Sequence, residues 1–506
     1  MRKLLAIPTI ALMLVGLAAA PAAAVDTVNS KKIRDAVTVG GILGHERALQ
    51  RIANNNGGTR ASGTPGYAAS AAYVKKTLKA AGYKVTEQEF TFPFFQELAP
   101  ATLAQVTPTP TTYATGTYDF SGSGEVTGTV VPTNDVLIPP PATPGSTSGC
   151  EAADFPPAPA GPAIALIQRG TCFFEVKAAN AQAAGYDAVI FFNEGQPGRD
   201  GLFIGTLGRA FDIPVVGLSF ADGAALYAAT QAGPVTARVT TSTITEQNAK
   251  TTNVIADSPG GDPNKVLVVG AHLDSVVAGP GINDNGSGTA TNLEIAEQLA
   301  ALKVKPRQKV RFAFWGAEEA GLLGSEHYVA SLSDAQLGKI FANVNFDMLG
   351  SPNYVRFVYD GDGSATGTAG PPGSAEIEGL FTTYFANQNL ASAPTAFDGR
   401  SDYGPFIAVG IPAGGLFSGA EGVKTAEQAA VYGGTAGAPY DACYHAACDT
   451  TNNLSPAALH ELGDAATHVV YTLAVTKTGF FPDGSLRSGA RTAAPDFDYR
   501  GPHARR

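Results

Sequence analysis

Residues 265–275 read KVLVVGAHLDS. Val266 to Val269 is an unbroken apolar run, and it turns polar only at His272 and Asp274. An unbroken run, as opposed to an alternating one, marks a strand covered on both faces. The same grammar recurs in NVIADSPG (253–260), KVRFAFWGAEE (309–319) and IFANVNFDMLG (340–350). Between these runs lie helical stretches, GTATNLEIAEQLAAL (288–302) and GLLGSEHYVASL (321–332), and a last one is expected in SPAALHELGDAATHVVYTLAV (455–475). Buried strands alternating with helices predict an α/β fold, a mostly parallel mixed sheet flanked by helices. Ligands of such sheets collect at the carboxyl ends of the strands. The polar clusters fall where those ends are expected.

The clusters are chemically specific as a set. Along the chain stand His272, Asp284, the pair Glu318–Glu319, Asp347 and His445. Imidazole and carboxylate are the zinc donors available when thiolates are not. A carboxylate has two oxygens and can bridge two cations, and Asp284 projects from the glycine-rich loop GINDNGSGTA (281–290). Taken alone, that loop is a helix-capping turn. Asp274, two residues past His272, is placed to orient its imidazole. Adjacent carboxylates after an apolar strand are expensive unless they bind metal or share a proton. Their side chains point in different directions, so Glu319 is read as a ligand and Glu318 as a general base; a solvated surface pair is the bland alternative. The five remaining histidines, His45, His327, His460, His468 and His503, read as helix-surface or core residues. The set can hold two zinc ions and a base.

The outer regions bound the setting. Arg2 and Lys3, the short apolar run Leu4–Ala20 and Ala22-Ala23-Ala24 read as a signal peptide over residues 1–24. No later stretch is long and apolar enough to span a bilayer, so a secreted, extracellular protein without a membrane anchor is expected. The chain of 506 residues carries a formal charge of −10, which argues against nucleic acid as a partner. Its length predicts two domains. Cys150, Cys172, Cys443 and Cys448 have no C-x-x-C spacing, and in an exported chain proximity pairs them as Cys150–Cys172 and Cys443–Cys448. The second pair would clamp the loop that carries His445.

From about residue 98 the composition shifts to Pro, Thr, Gly and Ser. Then AIALIQRGTCFFEVKAANAQAAGYDAVIFFNEG (163–195) reads strand, turn, helix, strand, and IPVVGLSFADGAALYAATQAG (213–233) repeats the rhythm. Residues 98–245 contain no histidine and are read as an inserted domain, a lid, a binding module or plain structure. It would divide the main domain into 25–97 and 246–476, and a flexible tail is expected over 477–506.

The chain resembles the M28 family of zinc aminopeptidases over about residues 40–97 and 250–476. The resemblance rests on AHLDS, GINDNGSGTA, WGAEEAGLLGS, NFDMLG, GRSDYGPF, GGLFSGAEGVKT and CYHAACDT. It is similar to secreted bacterial members that cleave large hydrophobic N-terminal residues, and the insertion, with RGTCFF and AGYDAVIFFN, resembles the protease-associated (PA) domain. The resemblance implies that His272, Asp284 and Asp347 bind one zinc and that Asp284, Glu319 and His445 bind a second. It implies that Glu318 is the base, that Tyr444 donates to the oxyanion, that Arg400 holds the substrate's N-terminal region and that Phe417 lines the pocket for the first side chain. The family's cis peptide would fall at Asp274–Ser275. Some relatives also bind calcium, whose ligands have no match assigned here. The implied partners are peptide or protein N-termini, and a monomer is expected. Carboxypeptidases and glutaminyl cyclases of the same fold, and a receptor-like binding protein that has lost catalysis, are the alternatives.

Overall fold

Both faces of the central strands are covered, which is why their sequences are apolar without a break. The computed structural model describes residues 28–477; the expected signal segment and the tail beyond Lys477 lie outside the described residues. Asp262–His272 lies between Gln308–Trp315 and Ile340–Phe346, parallel to both, and Ala413–Phe417 continues the parallel order. Leu267 and Val269 point into one core with Val344, Phe346 and the helices Val39–Asn55, Gly288–Ala301 and Pro456–Val475. Val266 and Val268 point the other way, into a second core with Trp315, Tyr328 and Phe406. Each such buried side chain contributes roughly 1.5–3 kcal/mol, so a charge at Val268 would break the sheet from within. Phe357–Tyr359, antiparallel to Ala413–Phe417, and Ala393–Thr395 complete this edge.

Because the central strands are parallel, their carboxyl ends open on one side. The register pairs Trp315 with His272, so the turn after Trp315 and the end of Asp262–His272 emerge together. Helix starts follow local chemistry. Thr38 Oγ1 accepts the Gly41 N–H at 3.0 Å and Ser455 Oγ accepts that of Ala458 at 3.2 Å, Pro456 following at the first helical position.

The inserted unit repeats the layering on a smaller scale. Gly124–Pro132, Ala163–Gln168, Ala188–Phe192 and Val215–Leu218 are parallel neighbours. Phe174–Ala183 covers one face, with Ala165 and Ile167, and Phe220–Ala232 the other, with Ile164 and Leu166. Cys150 and Cys172 form a disulfide there. The two units are joined by a long antiparallel ribbon, Lys84–Thr107 against Thr236–Asp257, whose register shifts at Phe92/Phe94. The strand that begins at Lys84 runs on well past residue 92, because a partner strand accompanies it through the change of composition.

Candidate active site

His272 is the last residue of its strand, Asp347 follows Phe346 directly, and Glu318 and Glu319 sit in the turn after Trp315. Asp284 and His445 ride on the two loops read for them in the sequence, Asp284 within the irregular turn Ile282–Ser287. Those loops are firmly held. Gly281 enters the first with φ +59°, and a Cβ on Gly288 would stand 2.1 Å from the Phe346 carbonyl oxygen, so the loop packs directly on the end of the Asp347 strand. The non-proline cis peptide joins Asp284 to Asn285, which corrects its expected place at Asp274–Ser275. Asn285 is buried: its amide donates to Phe346 O at 2.9 Å and accepts from Gly288 N at 2.9 Å. The NGS sequence at this residue therefore reads as site backbone.

The five residues converge. His272 Nε2 is 3.2 Å from Asp284 Oδ1 and 3.3 Å from Asp347 Oδ1. His445 Nε2 is 3.2 Å from Asp284 Oδ2 and 3.0 Å from Glu319 Oε2. Donor atoms of His272, Asp284 and Asp347 lie within 4.8 Å of one another, and so do those of Asp284, Glu319 and His445. Asp284 thus faces one triad with each oxygen. Asp347 Oδ1 and Glu319 Oε1 are buried and accept no hydrogen bond. Nitrogen and oxygen donors in two triads, with orphaned carboxylate oxygens turned inward, suit zinc.

The electrostatics make the same demand. Burial drives Glu318 well above the usual carboxylate range, Asp402, Glu319 and Asp347 adding to the rise against His272. Burial and the charge of Asp284 push Glu319 up to about 7 against His445. Burial lowers the imidazole of His272, but the carboxylates of Glu318, Asp347, Asp274 and Asp284 outweigh it and raise it well above its ordinary value. His445 is pulled up to about 11 against its own burial, chiefly by Glu319 and Asp284. Carboxylates that hold imidazoles protonated are seeking positive charge, and a divalent cation supplies it.

The neighbouring residues take up the other expected positions. Asp274 approaches His272 Nδ1 with its carboxylate at 3.6 Å, but its main-chain oxygen is nearer, at 3.2 Å, and the carboxylate also accepts the Glu318 N–H at 3.3 Å. Tyr444 stacks on His445 with centroids 3.9 Å apart, and the Arg400 guanidinium donates to the Tyr444 hydroxyl at 3.3 Å while pairing with Glu421 at 2.8 Å. Phe417 ends its strand on the wall of a recess of about 70 Å³ that Glu318, Asp347, Arg400 and Tyr444 also line. Cys443 and Cys448 are bonded, their Cα atoms 5.3 Å apart, and close the loop around His445.

Three residues that present or follow these side chains adopt left-handed φ without being glycine: Ala317 at +53°, Met348 at +56° and His445 at +54°. Such conformations persist where surroundings over-determine them. The Ala317 N–H is held by Ser62 Oγ at 2.7 Å and the Gly316 N–H by Asn253 Oδ1 at 3.1 Å.

Residues 253–470 match peptidase family M28, and residues 126–226 match the PA domain. The chain is 49% identical over 436 residues to an aminopeptidase of Pseudomonas aeruginosa, spanning 85% of this chain and 79% of that one. The chain belongs to peptidase family M28. It is accordingly an enzyme, a hydrolase of the zinc aminopeptidase kind, with a PA domain inserted. A probable leucine aminopeptidase 2 of Aspergillus fumigatus is 50% identical over 312 residues, 61% of each chain. The solved zinc aminopeptidase of Bacillus subtilis superposes with a TM-score of 0.58 at 26% identity, covering 86% of this chain and 95% of that one.

Sequence reasoning missed several residues of this candidate site. Ser401 Oγ donates to Asp347 Oδ2, and Asp402 lies fully buried beside it. Both stand in GRSDYGPF, from which only Arg400 was read. Asp449 binds the backbone of the Asp284 loop, and the wholly buried Arg60 donates to the Leu273, Pro280 and Gly281 carbonyl oxygens. Their signal was weak: an aspartate just after a cysteine, and an arginine in a glycine-threonine turn.

Proposed function

We propose that this chain is an exported di-zinc aminopeptidase that releases large apolar residues from peptide N-termini. The observation that carries the proposal is Asp284, whose two oxygens each face a separate triad. His272, Asp284 and Asp347 would hold one zinc, and Asp284, Glu319 and His445 the other. Zinc held there would supply Lewis-acid polarisation of a scissile carbonyl and a lowered pKa for the attacking water.

The chain's own residues supply the remainder. Glu318 takes the proton from that water at a carboxylate oxygen and returns it to the leaving amine. Arg400 donates to the oxygen of Tyr444 and so leaves the phenolic O–H free to donate to the oxyanion. The carboxylates of Glu318 and Asp347 receive the free α-amino group, which restricts attack to the first peptide bond. Phe417 lines the pocket for the first side chain, and relatives named leucine aminopeptidases support an apolar preference. Asp274 holds the His272 ring from behind. Two disulfides support export, and no helix among the described residues is long and apolar enough to cross a membrane. The inserted domain is taken as 98–245, and the enzyme acts as a monomer.

A panel of aminoacyl-p-nitroanilides with N-acetylated controls tests the proposal. Leu and Phe substrates with free amines should be cleaved, activity should vanish with a zinc chelator and return with zinc, and metal analysis should find two zinc ions per chain. Equal cleavage of the acetylated substrates would overturn it.

A further inference from the structure

The recess beside the triads, about 70 Å³, accommodates little beyond one side chain, so the rest of a peptide must leave it. A second cavity of about 500 Å³ begins where the recess ends, and Glu319 lines both. One wall is the segment 274–278 behind His272, the floor is the aromatic bend of the ribbon at Phe92, Phe94 and Phe95, and the far wall is Thr206 of the PA domain with Phe120, just before the stretch that matches it. The register shift between Phe92 and Phe94 turns successive aromatic residues toward the same space. Phe95 and Phe120 meet across the domain boundary with centroids 5.6 Å apart. Glu97 and Asp119 are the acids on its rim. Neither domain alone makes this cavity.

We infer that this interdomain cleft binds the second and third residues of the substrate and selects apolar ones, so that the PA domain is a specificity wall for the leaving peptide. The inference rests on the aminopeptidase reading above. The continuity at Glu319 supplies direction: the N-terminal side chain lies on the Phe417 side, and the leaving peptide lies on the Phe95 side. Aromatic faces favour apolar side chains, and the acids on the rim repel acidic ones.

Rates on Leu-amide, which has no residue after the cut, are compared with those on Leu-Phe-Phe, Leu-Gly-Gly and Leu-Asp-Asp. For the native enzyme, kcat/KM for Leu-Phe-Phe should exceed that for Leu-Gly-Gly by about tenfold, the scale on which apolar pockets discriminate, with Leu-Asp-Asp lowest. The paired change Phe95→Ser with Phe120→Ser should remove most of that preference through KM and leave Leu-amide hydrolysis unchanged. Thr206→Trp, which fills the cleft from the PA side, should do the same should the double variant fail to fold. Hydrolysis of Leu-amide with no preference among the tripeptides, or variants that keep the native preference, would overturn the inference alone. Failure to cleave Leu-amide or any of the peptides would overturn the aminopeptidase reading beneath it.

Discussion

The carboxylate of Asp449 accepts the main-chain N–H of Asp284 at 3.0 Å, and its other oxygen accepts that of Asn283 at 2.9 Å. A loop just past one candidate ligand, His445, therefore fixes the backbone of the candidate bridging ligand, some 160 residues earlier in sequence. Asn453 in turn donates to Asp449 at 3.2 Å, so the clamp is itself held. Removing this clamp would let the Asp284 carboxylate swing. Asp449→Ala should lower zinc affinity by about 10–100-fold, the usual cost of losing a residue that orients a ligand. Competition with a chelating dye measures this, with circular dichroism as the check on folding. Native zinc affinity in a folded Asp449→Ala protein would show that the Asp284 loop keeps its aim without it.

The proposed roles of Glu318, the base, and Glu319, a zinc ligand, can be separated. Glu318→Gln keeps the volume and removes the proton acceptor. It should lower kcat by about 10²–10⁴-fold, the range for general-base catalysis, while both zinc ions stay bound. Glu319→Gln should instead weaken metal at the His445 triad. If Glu318→Gln lost zinc and Glu319→Gln kept it, the two roles would have to be exchanged.

The strands and helices of the main domain were legible because burial on both faces leaves an unmistakable apolar run, as in Val266–Val269. The convergence of His272, Asp284, Glu319, Asp347 and His445 was legible because parallel strands end together and the spacing matched a known family. The supports were not. Arg60 and Asp449 act through main-chain atoms of distant loops, and nothing in a linear sequence marks which carbonyl or N–H a side chain will reach. The interdomain cleft was equally hidden, since Phe95 and Phe120 meet only after the ribbon bends. The cis peptide lay one motif further on than expected, because motif matching places a residue but not its backbone.

The two disulfides should separate stability from function. Cys150–Cys172 closes a long loop within the PA domain, and Cys443–Cys448 a short one around His445. By loop-closure entropy the first contributes about 3 kcal/mol and the second about 2 kcal/mol. Replacing Cys150 and Cys172 by Ser should lower the melting temperature of the PA domain and leave hydrolysis of Leu-p-nitroanilide near native. Replacing Cys443 and Cys448 should cost less stability and more zinc, because the released loop presents both His445 and Asp449. Calorimetry beside a zinc titration checks both, and a Cys443/Cys448 variant with native zinc affinity would contradict the clamp.

His45 sets a pH limit on the fold away from the active site. It lies buried on the helix Val39–Asn55, facing Glu294 at 3.7 Å and Glu297 at 3.3 Å on the helix Gly288–Ala301, with Nδ1 against the Tyr73 hydroxyl at 2.7 Å. Burial pushes the imidazole down, but the hydrogen bonds and charges of the two glutamates prevail and raise it from 6.5 to about 8. The folded state therefore binds this proton more tightly than the unfolded chain. The resulting stability, about 2 kcal/mol for a shift of this size, is fully present below pH 6.5 and is lost as pH rises through 8. His45→Gln should be less stable than the native protein at pH 6, and the gap should close by pH 9. Urea unfolding of both proteins at the two pH values measures it. A gap that stayed constant would mean that His45 acts by packing alone, with its proton playing no part.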